Sequence, residues 1–178
     1  GYKTIADIAR ERIRRAGRAL ASHQKKELNL EGHKQVDTGF RAFTLASSNF
    51  KIWTGEIEGS EAVGDQIEMH VDHVSASAAP EDVLYELLLK SGFSLTTKVL
   101  ATKLAGKDVF SIEDGALLIC LEKEITPELI DALAEANPLQ VICLDEGFKG
   151  NDQLKANAVQ TFRARAEAEE SEIVFKTV

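Results

Sequence analysis

Two short apolar runs place the strongest constraint on what this chain can fold into. Ala116-Leu117-Leu118-Ile119-Cys120-Leu121 and Leu139-Gln140-Val141-Ile142-Cys143-Leu144 carry apolar residues at successive positions, so a strand built from either must be covered on both faces. Between them TPELIDALAEAN has helical periodicity, with Thr126 placed to cap it and Pro127 at its first position. Two doubly buried strands joined by a helix form a parallel pair, because an antiparallel pair needs only a tight turn. The segment NDQLKANAVQTFRARAEA predicts a second helix and EIVFKTV a last strand. Ile119-Cys120-Leu121-Glu122 returns as Ile142-Cys143-Leu144-Asp145, 23 residues on, which is one βα step. The expected fold class is α/β, with a carboxyl-terminal βαβαβ layer on a largely parallel sheet.

Upstream, the periodicity changes several times. Residues 4–28 space Ile5, Ile8, Ile13 and Leu20 among Arg and Ala, which predicts an amphipathic helix capped by Thr4, with Asp7 three positions on. The alternation in FRAFTLA predicts a strand at 40–46, and Val63, Ile67, Val71 and Val74 predict a helix over 63–77. A further helix is expected from Pro80, burying Leu84, Leu87 and Leu88 and ending at Gly92. SLTTKVLATKLAGKDVFSI reads as a hairpin turning near Gly106-Lys107.

Composition narrows the class. The 178 residues include 3 Pro and 12 Gly, too few for a fibrous or disordered chain, and no apolar run reaches the ~18–20 residues of a membrane span. A cytoplasmic location and no membrane partner are expected. Cys120 and Cys143 lie inside the apolar runs, a setting for buried thiols rather than a disulfide framework. The net charge of −8 argues against a nucleic-acid partner until it is divided. Residues 1–51 hold 11 Lys or Arg against 5 Asp or Glu, whereas residues 52–178 hold 10 against 24. The opening Gly-Tyr-Lys-Thr reads as the start of an excised or processed piece.

Few residue patterns bear on chemistry. Arg10, Arg14 and Arg18 recur every four residues and so form one ridge on a helix, able to meet DNA phosphates, an acidic partner or solvent. Asp145, Glu146 and Asp152 follow the second buried strand, where parallel sheets gather binding sites; they suit a divalent cation or, more simply, a turn and a helix start. His70 and His73 are three apart on an expected helix but lack a third spaced ligand. Gly147-Phe148-Lys149-Gly150 fits neither phosphate-loop pattern and reads as a turn needing positive φ. No nucleophile elbow or reactive-cysteine setting is present.

Several strings, in order, resemble adenine-specific DNA methyltransferases, the modification subunits of type III restriction-modification systems. They are Gly1-Tyr2-Lys3-Thr4-Ile5-Ala6-Asp7-Ile8 with Glu11-Arg12-Ile13-Arg14-Arg15, Asp37-Thr38-Gly39-Phe40-Arg41 with Ser47-Ser48-Asn49-Phe50-Lys51, and Gly115-Ala116-Leu117-Leu118-Ile119-Cys120-Leu121-Glu122. Leu144-Asp145-Glu146-Gly147-Phe148, Asn151-Asp152 and Lys155-Ala156-Asn157-Ala158 extend the likeness to the family's carboxyl-terminal region. The resemblance implies methyl transfer from S-adenosylmethionine to the exocyclic nitrogen of adenine in double-stranded DNA. It also implies two protein partners, a second methyltransferase chain and an ATP-dependent restriction subunit.

That chemistry rests on DPPY-type and FxGxG-type motifs, and neither is present; Asn137-Pro138-Leu139 lacks the second Pro and the aromatic residue. Ala46, before Ser47-Ser48-Asn49, stands where such sequences often carry an acid. No catalytic, cofactor-binding or metal residue is therefore assigned, and no cofactor is expected on this piece. In the family's order the missing motifs lie upstream. Residues 1–49 would then be the last helix and strand of a methyltransferase core, and residues 50–178 a carboxyl-terminal α/β domain. The expected function is a non-catalytic part of such an enzyme, serving subunit assembly and DNA positioning through Arg10, Arg14 and Arg18. The alternatives are a stand-alone protein-interaction module and a Mg²⁺-dependent phosphoryl-transfer domain using Asp145, Glu146 and Asp152.

Overall fold

The computed structural model describes residues 1–27, 37–51 and 74–178. It divides into two compact units, Gly1–Ala46 and Ser47–Val178.

The first unit contains helix α1, Ile5–Glu27. Its start is a reciprocal cap: the Asp7 amide donates to Thr4 Oγ1 at 3.1 Å, and the Thr4 amide donates to Asp7 Oδ2 at 3.0 Å. The strand expected at 40–46 does not form; residues 37–47 carry no regular secondary structure. A strand needs a neighbour to satisfy its amides and carbonyls, and the described part of this unit holds none. No described side chain between residues 1 and 46 is buried.

The second unit holds α2 (Pro80–Lys90), a hairpin of β1 (Val99–Leu104) and β2 (Lys107–Ile112), and then β3 (Leu117–Cys120), α3 (Pro127–Glu135), β4 (Gln140–Cys143), α4 (Asp152–Ala168) and β5 (Val174–Thr177). The five strands form one sheet in chain order. β3, β4 and β5 run parallel, as the βαβαβ pattern requires, while β1 with β2 and β2 with β3 are antiparallel. The carboxyl-terminal βαβαβ layer is parallel, and the hairpin extends it into a mixed five-stranded sheet. A two-residue turn cannot reverse the chain into a parallel partner, so the hairpin joins antiparallel. That turn is Ala105-Gly106, with φ of 47° and 79°, one residue before the expected position.

Alternation along β3 divides the core between two faces. Leu117 and Ile119, with Ile112 and Ile142, pack on Val83, Leu84, Leu87 and Leu88 of α2. Leu118 and Cys120, with Val141 and Cys143, pack on α3 and α4 through Ile130, Leu133, Ala158 and Phe162. The outcome is a sheet covered on both faces, which is why β3 is buried at all four positions. Phe162 is fully buried and stacks on Phe175 at 4.8 Å, and burial of such a ring stabilises by about 1.5–3 kcal/mol.

Of the helix expected over 63–77, residues 63–73 lie outside the described set. Residues 74–77 are not helical: Val74 pairs with Phe50 in an antiparallel bridge and a turn follows. The bridge is closed by the Ser75 amide donating to the Asn49 carbonyl at 2.8 Å.

Candidate functional site

The basic ridge lies on α1 within the first unit. Arg10 is ion-paired with Asp7, whose carboxyl is held below its usual range by the Thr4 hydroxyl and then by Arg10. Arg14 reaches Glu11 at 4.0 Å and stands 5.8 Å from the centre of the Phe40 ring. Arg15 donates to Glu11 at 2.9 Å, which lowers the Glu11 pKa and raises that of Arg15. Arg18 is exposed and makes no ion pair among the described residues. The three expected residues thus share one helix with Arg12 and Arg15, and two of them, Arg10 and Arg14, are partly neutralised by acids of the same helix.

A strip of exposed apolar residues accompanies this ridge. Ile5, Ile8, Ile13 and Leu20 are all exposed, Ile5 at 86%. At 100° per residue they fall on the side of α1 away from Arg10, Arg14 and Arg18. Phe40, Phe43 and Leu45 are exposed too, Leu45 completely.

The second unit has a cleft of about 190 Å³ at the carboxyl ends of β3 and β4. Val74, Pro80, Val83, Leu121 and Leu144 line it, together with Lys123 and Glu146, which face each other at 3.8 Å. This is where a parallel sheet offers its strand ends. The three acids expected near it do not converge. Asp145 is ion-paired with Lys155, Glu146 faces Lys123, and Asp152 begins α4 beside its cap Asn151, whose Oδ1 accepts from the Leu154 amide at 3.0 Å. Among the described residues no three His, Cys, Asp or Glu gather as metal ligands would. His70 and His73 lie outside the described residues.

Gly147 answers a different need from the one expected. A Cβ there would stand 2.7 Å from Ile125 Cγ1 and 2.8 Å from the Glu122 carbonyl oxygen, so close approach requires the glycine, while positive φ, 78°, belongs to Gly150. The Ile125 amide donates to the Gly147 carbonyl at 3.0 Å, tying the strand-end loops together under the cleft.

One cluster was not anticipated. Glu86 of α2 accepts from Ser48 Oγ at 2.5 Å, from the Asn49 amide at 2.7 Å and from Asn49 Nδ2 at 3.0 Å, and pairs with Lys90 at 2.9 Å. Burial alone would raise its pKa; these donors outweigh burial and hold it at about 2. The ammonium of Lys90 also stands 4.1 Å from the centre of the Phe50 ring. Ser47-Ser48-Asn49-Phe50 is thereby fastened to the second unit. Only an acid among the apolar residues of α2 hinted at it.

The chain matches no protein-family model and no curated protein.

Proposed function

We propose that this chain is the non-catalytic carboxyl-terminal part of an adenine-specific DNA methyltransferase that uses S-adenosylmethionine. The observation that carries the reading is the state of the first unit. An amphipathic helix and a segment without regular secondary structure expose Ile5, Ile8, Ile13, Leu20, Phe40, Phe43 and Leu45, and no described side chain of this unit is buried. A single helix with an apolar stripe gains most of its stability from packing against other elements, and one helix with an irregular segment supplies no core of its own. Such a pair fits the edge of a larger α/β core, with the apolar strip turned inward and the arginine ridge outward, toward DNA. The second unit holds 24 Asp or Glu against 11 Lys or Arg, a surface suited to protein partners rather than phosphate. We assign it to assembly with the restriction subunit and a second methyltransferase chain, in the cytoplasm. No described helix is long and apolar enough to cross a membrane.

The test is the reading frame upstream of Gly1 and its full-length product. FxGxG-type and DPPY-type motifs are expected there, and the full product should transfer label from S-adenosylmethionine to adenine while the 178-residue chain transfers none. An upstream frame without those motifs, or methyl transfer by the chain alone, overturns the proposal.

A further inference from the structure

Cys120 and Cys143 end adjacent parallel strands and are direct partners in the register. In-register positions on neighbouring strands lie ~4.8 Å apart and point to the same face, within the ~4.4–6.8 Å that a disulfide spans between α-carbons. Both are free thiols, both are buried, and both belong to the core beneath α3 and α4. We propose that this pair is a modification site at which hydrogen peroxide closes a reversible disulfide between β3 and β4. The oxidant must be small, because neither residue reaches the surface.

The two thiols are not equivalent. The neighbouring Cys143 thiol lowers the Cys120 pKa, whereas Cys120 together with burial raises that of Cys143. Cys120 is thus the attacking sulfur and Cys143 the resolving one. Cys120 Sγ, as thiolate, attacks one peroxide oxygen; the O–O bond breaks, and the departing hydroxide takes a proton and leaves as water. Cys143 Sγ then attacks the Cys120 sulfenic sulfur. The S–S bond forms, the S–O bond breaks, and the second oxygen leaves as water with the Cys143 proton. Two thiols are oxidised by two electrons and one peroxide is reduced to two waters. Leu121 and Leu144, the residues that follow the two strands, line the cleft, so the bridge would fasten the two strand ends beside it.

Trypsin cleavage after Lys107, Lys123 and Lys149 places the cysteines in separate peptides, 108–123 and 124–149. The full chain is treated with hydrogen peroxide without denaturant, alkylated and digested. The expected product is these two peptides joined, two hydrogens lighter than their sum and separated by dithiothreitol. In Cys143→Ala the expected product is instead a sulfenic acid at Cys120, which dimedone traps when the peroxide is removed and the chain is unfolded in its presence. Recovery of both peptides as free thiols or as separate sulfinic acids, while an exposed dithiol peptide in the same tube becomes oxidised, overturns the proposal. Formation of the bridge only in denaturant overturns it equally.

Discussion

Glu86 holds Asn49 through two groups at once, the backbone amide at 2.7 Å and the side-chain amide at 3.0 Å, both on Oε2. This anchors the start of the second unit to α2 across 37 positions of sequence. Glu86→Gln removes the charge from four polar partners and is expected to destabilise the second unit by about 1–3 kcal/mol. The effect depends on pH. The folded pKa of about 2 lies below the ordinary 4.5, so the contribution is complete above 4.5 and is lost as pH falls from there toward 2. Urea denaturation of both proteins at about pH 7 and about pH 3 checks this: the gap between them should narrow at the lower pH, and a gap independent of pH would count against the assignment.

Gly147→Ala should unsettle the loops beneath the cleft. The new methyl would overlap both the Ile125 side chain and the fixed Glu122 carbonyl. A cost of about 1–3 kcal/mol is expected for such overpacking. A lowered denaturation midpoint with an unchanged slope is the confirming result; a midpoint equal to that of the unmodified protein would show that the loop yields freely.

The hairpin turn leaves room for improvement. Ala105 sits at φ 47°, a conformation its Cβ disfavours, and is followed by Gly106 at 79°. Ala105→Asn creates the Asn-Gly pair preferred where both central residues have positive φ. It is expected to stabilise by about 0.5–1 kcal/mol. Thermal melting is the direct check, with a higher midpoint expected.

The arginine ridge predicts a salt signature. If Arg10, Arg14 and Arg18 meet phosphates of double-stranded DNA, replacing each with Ala should flatten the dependence of log affinity on log salt by about 0.9 for every phosphate that is no longer neutralised. Arg18, which makes no close ion pair among the described residues, should give the largest single change. Fluorescence anisotropy with a labelled duplex measures the slopes, and slopes unaffected by all three replacements would remove the ridge from DNA binding.

The part of the fold legible in sequence was the part specified locally. Thr126 ahead of Pro127 starts α3, with its hydroxyl accepting from the Leu129 amide at 3.3 Å, and Asn151 starts α4 in the same way. The doubly apolar runs at Leu117–Cys120 and Gln140–Cys143 required a covered, parallel pair, and the structure pairs them residue for residue. Capping and burial on both faces are properties of short stretches of chain, so a single sequence carries them.

Only the tertiary structure decided the contacts whose partners lie far apart in the chain. FRAFTLA has the alternation of a strand but joins no sheet among the described residues, and it carries no regular secondary structure. The acids Asp145, Glu146 and Asp152 are close in sequence yet are separated by Lys155, Lys123 and a helix cap. Glu86 found Ser48 and Asn49 by packing rather than by any motif. Periodicity states which face of an element must be covered; what covers it, and which charges meet, depends on closing the chain over long separations, which no local pattern encodes.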